Sequence, residues 1–503
     1  MENMEDIRIG SKTLFPHQVR AVHWMLERED DVDDLPGGFL CDTMGMGKTW
    51  SALGLIQESD LRRTLLLCPL AVVEQWAAAG VEAGFNVWTY PRAGVWASRG
   101  VVKPGRKRLY VANYERIKEN ESEDGAFDRL LMDEAHVLRT GSGSRYKKIY
   151  GLAKRIPRVW CLTGTPLVNH YRDIQALYQL LRGHRTAGVV PNFNTALEVM
   201  GRYGLHRSAL TLPGEEVEAL GLGPAPEEVK LVLPFETDAE AEFYRMIQGQ
   251  IQRQLELFED LDIANSTAVF KLLLRLRQIS IHPQVYIEGQ RRSHGGAYGR
   301  RNWVDAEGRL KSSTKVSAFL GLLKSQKVAH NWVVFCNFQD EIRILEDMLH
   351  REACVGLVGT YHGKKKTDER LEALEENAEA CARNFTVPRF LVDKLPLPDD
   401  VCGIIHSFVE TKQNVFLVQI HAGGTGLNLQ HNDRVVFMGP WWTAALMNQA
   451  VARVYRMGQR KEVKVYRLLL EEEQSLNIDR FMMDRAELKE ELCAELLGAC
   501  AHD

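Results

Sequence analysis

A chain of 503 residues is too long for one ordinary hydrophobic core, so two major domains with smaller attachments are expected. Its 45% hydrophobic and 26% charged content is that of a globular protein, and neither a long apolar run nor the basic-then-apolar layout of a secretory signal occurs, which predicts no membrane partner and an intracellular location. A net charge of −4 excludes the chain as a whole from acting as an electrostatic glue for nucleic acid, so such binding would come from local basic runs.

Short apolar runs of strand length alternate with segments of helical period. RTLLLCPL, RLYVANY, RLLMDEAH and RVWCLTGTP fall in the first third; NWVVFCNF, NVFLVQIHAGG, RVVFMGPWW and EVKVYRLLL come later. Strands buried on both faces and alternating with helices predict an α/β fold of two parallel-sheet lobes, with ligands beyond the carboxyl ends of the strands. The expected division is a first lobe over 1–232, a helical protrusion and inter-lobe loop over 233–310, a second lobe over 311–471, and brace helices over 472–503. Within the protrusion, apolar residues spaced three and four apart predict helix from 233 to 283. The Gly- and Arg-rich IEGQRRSHGGAYGRRNW that follows has no periodicity and reads as a loop. Prolines at 384–412 break the α/β rhythm and predict an insertion, and the heptad-like tail EEEQSLNIDRFMMDRAELKEELCAELLG predicts one or two helices against the body.

Chemistry concentrates in four segments. GGFLCDTMGMGKTW supplies Gly45, Met46 and Gly47 as a loop whose backbone N–H groups can wrap phosphates at a helix N-terminus. Lys48 would then meet the β/γ charge and the Thr49 hydroxyl would bind Mg²⁺. Asp42 stands where the strict phosphate-loop pattern has its first glycine. LLMDEAH ends a strand on paired carboxylates, Asp133 suited to hold Mg²⁺ and Glu134 to orient and deprotonate an attacking water. CLTGTPLVN sets two threonines around a glycine, a γ-phosphate sensor or simply a turn. QAVARVYRMGQ puts Arg453 and Arg456 three apart on one helical face, where they supply transition-state charge if a second lobe closes on the nucleotide, or otherwise form a surface helix.

Four basic runs, KPGRKR at 103–108, RRSHGGAYGRR at 291–301, HGKKK at 362–366 and RMGQRK at 456–461, each read first as solvated charge when taken alone. Nine cysteines stand singly with no C-x-x-C pair, which excludes the usual zinc spacings and fits buried thiols in a reducing compartment. His136, His282 and His421 have no partner at ligand spacing and are not expected to bind metal.

Taken in order, LFPHQVRAVHWML, GGFLCDTMGMGKT, LLLCPLAVVEQW, MDEAH, LTGTPLVN, FKLLLRLRQISIHP, VVFCNFQDEIRIL and HAGGTGLNLQHNDRVVFMGPWWTAALMNQAVARVYRMGQRKEVKVYRLL resemble the motifs of the Swi/Snf-type ATPases of helicase superfamily two, over about 14–495. That resemblance implies two RecA-like lobes closing on ATP and Mg²⁺, with Gln18 reading the adenine and Arg456 the arginine finger beside Arg453. It further implies that Gly424, Thr425 and Gly426 lie near the inter-lobe cleft and that Gln459 closes the last motif. It implies sequence-independent translocation on double-stranded DNA, with DNA-bound proteins such as nucleosomes or transcription machinery as further partners, in a nucleus, nucleoid, viral replication site or virion. Trp441 and Trp442 would stand on the cleft side, stacking on nucleic acid or simply packing.

Three positions depart from the family pattern: Thr43 for a glutamate, Gln419 for a serine and Ala452 for an acidic residue. No RING, bromodomain-like or chromodomain-like extension is recognisable, as in minimal bacterial and viral versions. An RNA helicase of the DEAH type and a degenerate motor kept as a scaffold are the competing readings.

Overall fold

The computed structural model describes residues 6–31, 34–119, 126–183, 189–209, 211–260, 266–294, 302–383, 412–423, 427–471 and 477–501. All eight runs expected as strands form strands, and they assemble into two separate sheets. The first sheet runs Gly204–Leu205, Gly37–Leu40, Arg158–Leu162, Arg129–Asp133, Arg63–Cys68, Arg108–Asn113, Asn86–Arg92 and Val95–Ser98. Every neighbour pair is parallel except the last, where Val95–Ser98 folds back antiparallel on Asn86–Arg92. The second sheet is all parallel in the order Glu227–Leu233, Lys464–Leu470, Arg434–Phe437, Asn331–Cys336, Gln413–Gln419 and Val355–Tyr361.

Parallel strands need crossover helices, and those helices cover both faces, so consecutive side chains of one strand enter opposite cores. Leu65 and Leu67 join one cluster while Leu66 and Cys68 join the other. In the second lobe Trp332 and Val334 face one core while Val333 and Phe335 face its opposite.

Two expectations change. Glu227–Leu233, which the sequence puts with the first lobe, pairs in register with Lys464–Leu470 as the edge of the second sheet. Its alternation of charge and aliphatic residues is that of an edge strand with one solvated face, and Arg467 clamps Glu228 at 2.7 Å. Residues 287–294, the start of the stretch read as a loop, belong to the helix Pro283–His294. Val285, Tyr286 and Ile287 are buried there, and an Arg291–Glu288 pair one turn apart supports the exposed side. The rest of that loop lies mostly outside the described residues, as does nearly all of the 384–412 insertion.

The last helix, Ile478–Gly498, spans the molecule. Its start packs with the protrusion through Ile478 and Met482, its middle with the second lobe through Met483 and Ala486, and its end with the first lobe through Leu496. Beyond it Ala501 bridges to Leu205 and so extends the first sheet. At the start of this helix Asp479 meets Lys315 at 2.6 Å, both essentially without solvent contact, and also accepts from Ser280 Oγ at 2.7 Å and Leu470 N at 2.9 Å. One carboxylate therefore joins the protrusion, the second lobe and the terminal helix. Removing the cation alone leaves that charge buried, so Lys315→Met should destabilise the fold by about 3–5 kcal/mol in denaturant unfolding, with much of the loss recovered in Lys315→Met/Asp479→Leu.

Candidate active site between the lobes

The phosphate loop, the carboxylate pair and the threonine turn leave the carboxyl ends of three strands, Gly37–Leu40, Arg129–Asp133 and Arg158–Leu162, which are neighbours in the first sheet. Gly45 and Gly47 have φ of +89° and +81°, a left-handed backbone that L side chains rarely adopt. Gly47 ends the loop as the N-cap of the helix Lys48–Glu58, leaving the first N–H groups of that helix open to an anion. Lys107, from the basic run at 103–108, caps the opposite end of this helix by donating to the carbonyls of Ile56, Gln57 and Ser59.

Lys48 Nζ donates to the carbonyl of Asp42 at 2.7 Å, inside the curl of the loop. Gln18 is buried against the same loop: its amide donates to the carbonyls of Met46 at 3.3 Å and Gly47 at 3.4 Å, and its oxygen accepts from Phe15 N at 3.0 Å. His17 joins it through Nε2 and the Met46 carbonyl, 2.9 Å apart.

Asp133 Oδ2 accepts from the Trp76 indole at 2.7 Å and Oδ1 from the backbone of Glu134 at 3.0 Å. Burial first, and the neighbouring Glu134 carboxylate second, push its pKa up to about 6, although the Trp76 bond and the Lys48 charge pull the other way. Glu134 has a φ of +51°, the one positive value at a non-glycine residue among the described residues, so its side chain is aimed by a strained backbone. Its carboxylate lies 3.7 Å from Arg453 of the second lobe and 3.4 Å from His136.

Burial lowers His136 to about 4, so it acts as a neutral hydrogen-bonding group. Its Nδ1 lies 3.1 Å from the Thr163 hydroxyl and its Nε2 3.4 Å from the Gln449 amide, which reaches Thr165 at 3.5 Å. A chain of contacts thus runs from the carboxylate pair through the threonine turn to the helix Ala444–Val451 of the second lobe.

Arg456 arrives from the turn after that helix. A Cβ added at Gly45 would stand 3.4 Å from Arg456 Cα, in ordinary van der Waals contact, so the arginine turn packs beside the loop. Burial, then Arg453, lower the pKa of Arg456, yet a guanidinium stays charged. Together Gly45, Gly47, Lys48, Thr49, Asp133, Glu134, Arg453 and Arg456 line one cleft of about 360 Å³.

Not every expected residue faces it. Gln459 is buried and holds the arginine turn in place, donating to the carbonyls of Gln430 at 2.7 Å and Asn432 at 2.9 Å. Trp441 and Trp442 pack on the protrusion, with the Arg277 guanidinium 4.3 Å and 5.6 Å from their ring centres. Gly424, Thr425 and Gly426 lie outside the described residues. Trp76 and Arg207 are contributors that the sequence does not single out. Trp76 ends LLLCPLAVVEQW, where an indole donor was the available signal, whereas Arg207 sits in no motif and pairs with Asp42 only through the fold.

An ionised Asp133 is costly where it is buried, and Thr49 lines the same cleft, so these two residues fit a divalent cation. Without one, raising the folded pKa above the ordinary carboxylate value costs stability. The cost is full above about pH 6 and fades as pH falls from there towards the unfolded value. Asp133→Asn should therefore raise the melting temperature of the nucleotide-free, metal-free protein at pH 8, with a gain that shrinks below pH 6 in paired thermal melts; a gain independent of pH contradicts the burial account.

The SNF2-related domain family matches residues 17–200 and the helicase conserved C-terminal domain family matches 398–458. A probable global transactivator of Orgyia pseudotsugata multicapsid polyhedrosis virus is 25% identical, covering 96% of this chain and 91% of its own length. A CHD3-type chromatin-remodeling factor of Arabidopsis thaliana is 23% identical over 86% of this chain and 33% of its own, and the human DNA excision repair protein ERCC-6 is 23% identical over 91% and 31%. The chain thus spans nearly all of the viral relative and about a third of the other two. The Sulfolobus solfataricus SWI2/SNF2 ATPase core in complex with dsDNA aligns over 100% of both chains at 17% identity, with a TM-score of 0.37. Among the described residues no helix is long and apolar enough to cross a membrane.

Proposed function

We propose, from the premise that this chain belongs to the SNF2-related, Swi/Snf-type helicase-like ATPases, that it hydrolyses ATP in the cleft between its two sheets and uses the cycle to move along duplex DNA. The observation that carries the reading is the meeting of Arg453 and Arg456 from one lobe with Glu134 and Gly45 from the other, around a cleft that also holds Lys48 and Asp133.

Lys48 leaves the Asp42 carbonyl for the β- and γ-phosphates, and the open N–H groups of the loop and helix start bind their oxygens. Thr49 and Asp133 would hold Mg²⁺, which when bound neutralises phosphate charge. The Glu134 carboxylate takes the proton of a water whose oxygen attacks the γ-phosphorus, the bond from that phosphorus to the β–γ bridging oxygen breaks, and ADP leaves with the electron pair. Arg456 supplies positive charge to the γ-phosphoryl oxygens as that bond breaks, and Arg453 steadies Glu134. Because the arginines and the carboxylates belong to different lobes, hydrolysis requires the lobes to be together and product release lets them part. Gln449, His136, Thr163 and Thr165 form the path by which that state reaches the second lobe.

Duplex DNA as the track is supported by the DNA-related relatives and by the SNF2-related match; the plant and human relatives, named for chromatin remodeling and excision repair, support DNA-bound protein assemblies as what the motor displaces. That setting is a nucleus, nucleoid or viral replication site. An RNA helicase is not favoured by the SNF2-related match, nor a degenerate scaffold by a site that retains its carboxylates and cations.

Glu134→Gln should lower ATP turnover about a hundredfold or more while ATP binding persists. Wild-type protein with ATP should displace a third strand from a triplex on duplex DNA, and the variant should not; hydrolysis without displacement would remove the translocase reading and leave the ATPase.

A further inference from the structure

The Asp42–Arg207 pair is a fully buried ion pair that the catalytic cycle above does not use. Both side chains have no solvent exposure, and Arg207 grips the Asp42 carboxylate with two parallel bonds, Nε to Oδ1 at 3.0 Å and Nη2 to Oδ2 at 2.5 Å. Its third nitrogen, Nη1, donates to the backbone carbonyl of His17, and its own carbonyl accepts from Thr43 N at 2.8 Å. A guanidinium has a fixed fork of donors, so satisfying a carboxylate and a carbonyl at once fixes their relative positions. One acceptor begins the phosphate loop; the other lies beside Gln18, at the start of the helix Pro16–Asp30.

The same two segments meet again through side chains that Arg207 does not touch. His17 and Gln18 both bond to the Met46 carbonyl, and Gln18 also reaches Gly47. The Asp42 carbonyl is the acceptor on which Lys48 rests. Turning Asp42 would therefore move the seat of Lys48, and freeing His17 would move Gln18. A pair needed only for packing would not have to link these two places, and breaking one partner of a buried pair is costly, whereas replacing both by neutral groups is tolerated far better.

We infer that Arg207 is a positioning residue for nucleotide recognition: through Asp42 and the His17 carbonyl it locks the base-reading segment to the phosphate loop, so that adenine identity and phosphate grip are read as one unit. The inference rests on the reading of the cleft as an ATP site with Gln18 at the base.

Equilibrium binding of ATP and GTP to the full chain tests it, with the ATP preference, the ratio of the two dissociation constants, as the readout. Asp42→Asn/Arg207→Gln removes both charges and so avoids a stranded ion. It should fold, with a melting temperature near that of the wild type, bind ATP about tenfold more weakly and lose most of the preference for ATP over GTP. Arg207→Lys keeps the charge without the fork and should fall between the two. Unchanged ATP affinity and preference in the folded double variant would overturn the inference. So would equal weakening towards both nucleotides, since it would place Arg207 on the phosphate loop alone. Wild-type protein that binds ATP selectively yet hydrolyses none would defeat the hydrolysis reading and leave this test intact; wild-type protein that binds no nucleotide would defeat both.

Discussion

The active site depends on a backbone constraint at two glycines, Gly45 and Gly47, whose φ of +89° and +81° L side chains rarely adopt. Where Gly45 would carry a Cβ the backbone of Arg456 passes at 3.4 Å, and a Cβ on Gly47 would stand 2.3 Å from the Gln18 amide nitrogen. The left-handed backbone of both residues curls the loop at the start of the helix Lys48–Glu58, with Arg456 of the second lobe and the Gln18 side chain packed against it.

The two parallel sheets give that constraint its reach. Strands buried on both faces are rigid, and their carboxyl ends deliver the phosphate loop, Asp133 and the threonine turn side by side without hinges between them. In the second lobe the turn that carries Arg453 and Arg456 lies instead at the amino ends of Arg434–Phe437 and Lys464–Leu470, where the buried Gln459 ties it to the carbonyls of Gln430 and Asn432. Stored strain at Glu134 and the raised pKa of Asp133 are local costs, offset by the surrounding cores. The terminal helix packs on both lobes and on the protrusion, so movement between lobes must slide or bend along it.

Much of this is legible in the sequence because its causes are local. Leu65, Leu66 and Leu67 announce a strand buried on both faces, and the glycines, Lys48 and Thr49 announce an anion-binding turn before a helix. What is not legible depends on partners distant along the chain. Glu227–Leu233 carries the alternation of an edge strand, yet nothing in it says that its neighbour begins at Lys464. Pro283–His294 has polar residues where a helix and a loop look alike, and only the pocket that receives Val285 and Tyr286 decides. Asp42 stands out as a departure from the glycine pattern, but its reason, Arg207, lies 165 residues away. The family resemblance carries the order of the motifs correctly and is silent on that pair.

The central claim is that the site is completed only by the second lobe. The most direct measurement is single-turnover ATP hydrolysis by Arg456→Ala, set beside its equilibrium affinity for ATP. The account predicts a fall in the hydrolysis rate of about a thousandfold, with ATP affinity changed by no more than about threefold, because the arginine acts on charge that develops as the γ-phosphoryl bond breaks. Hydrolysis at the wild-type rate, or a rate loss fully accounted for by lost binding, would contradict it.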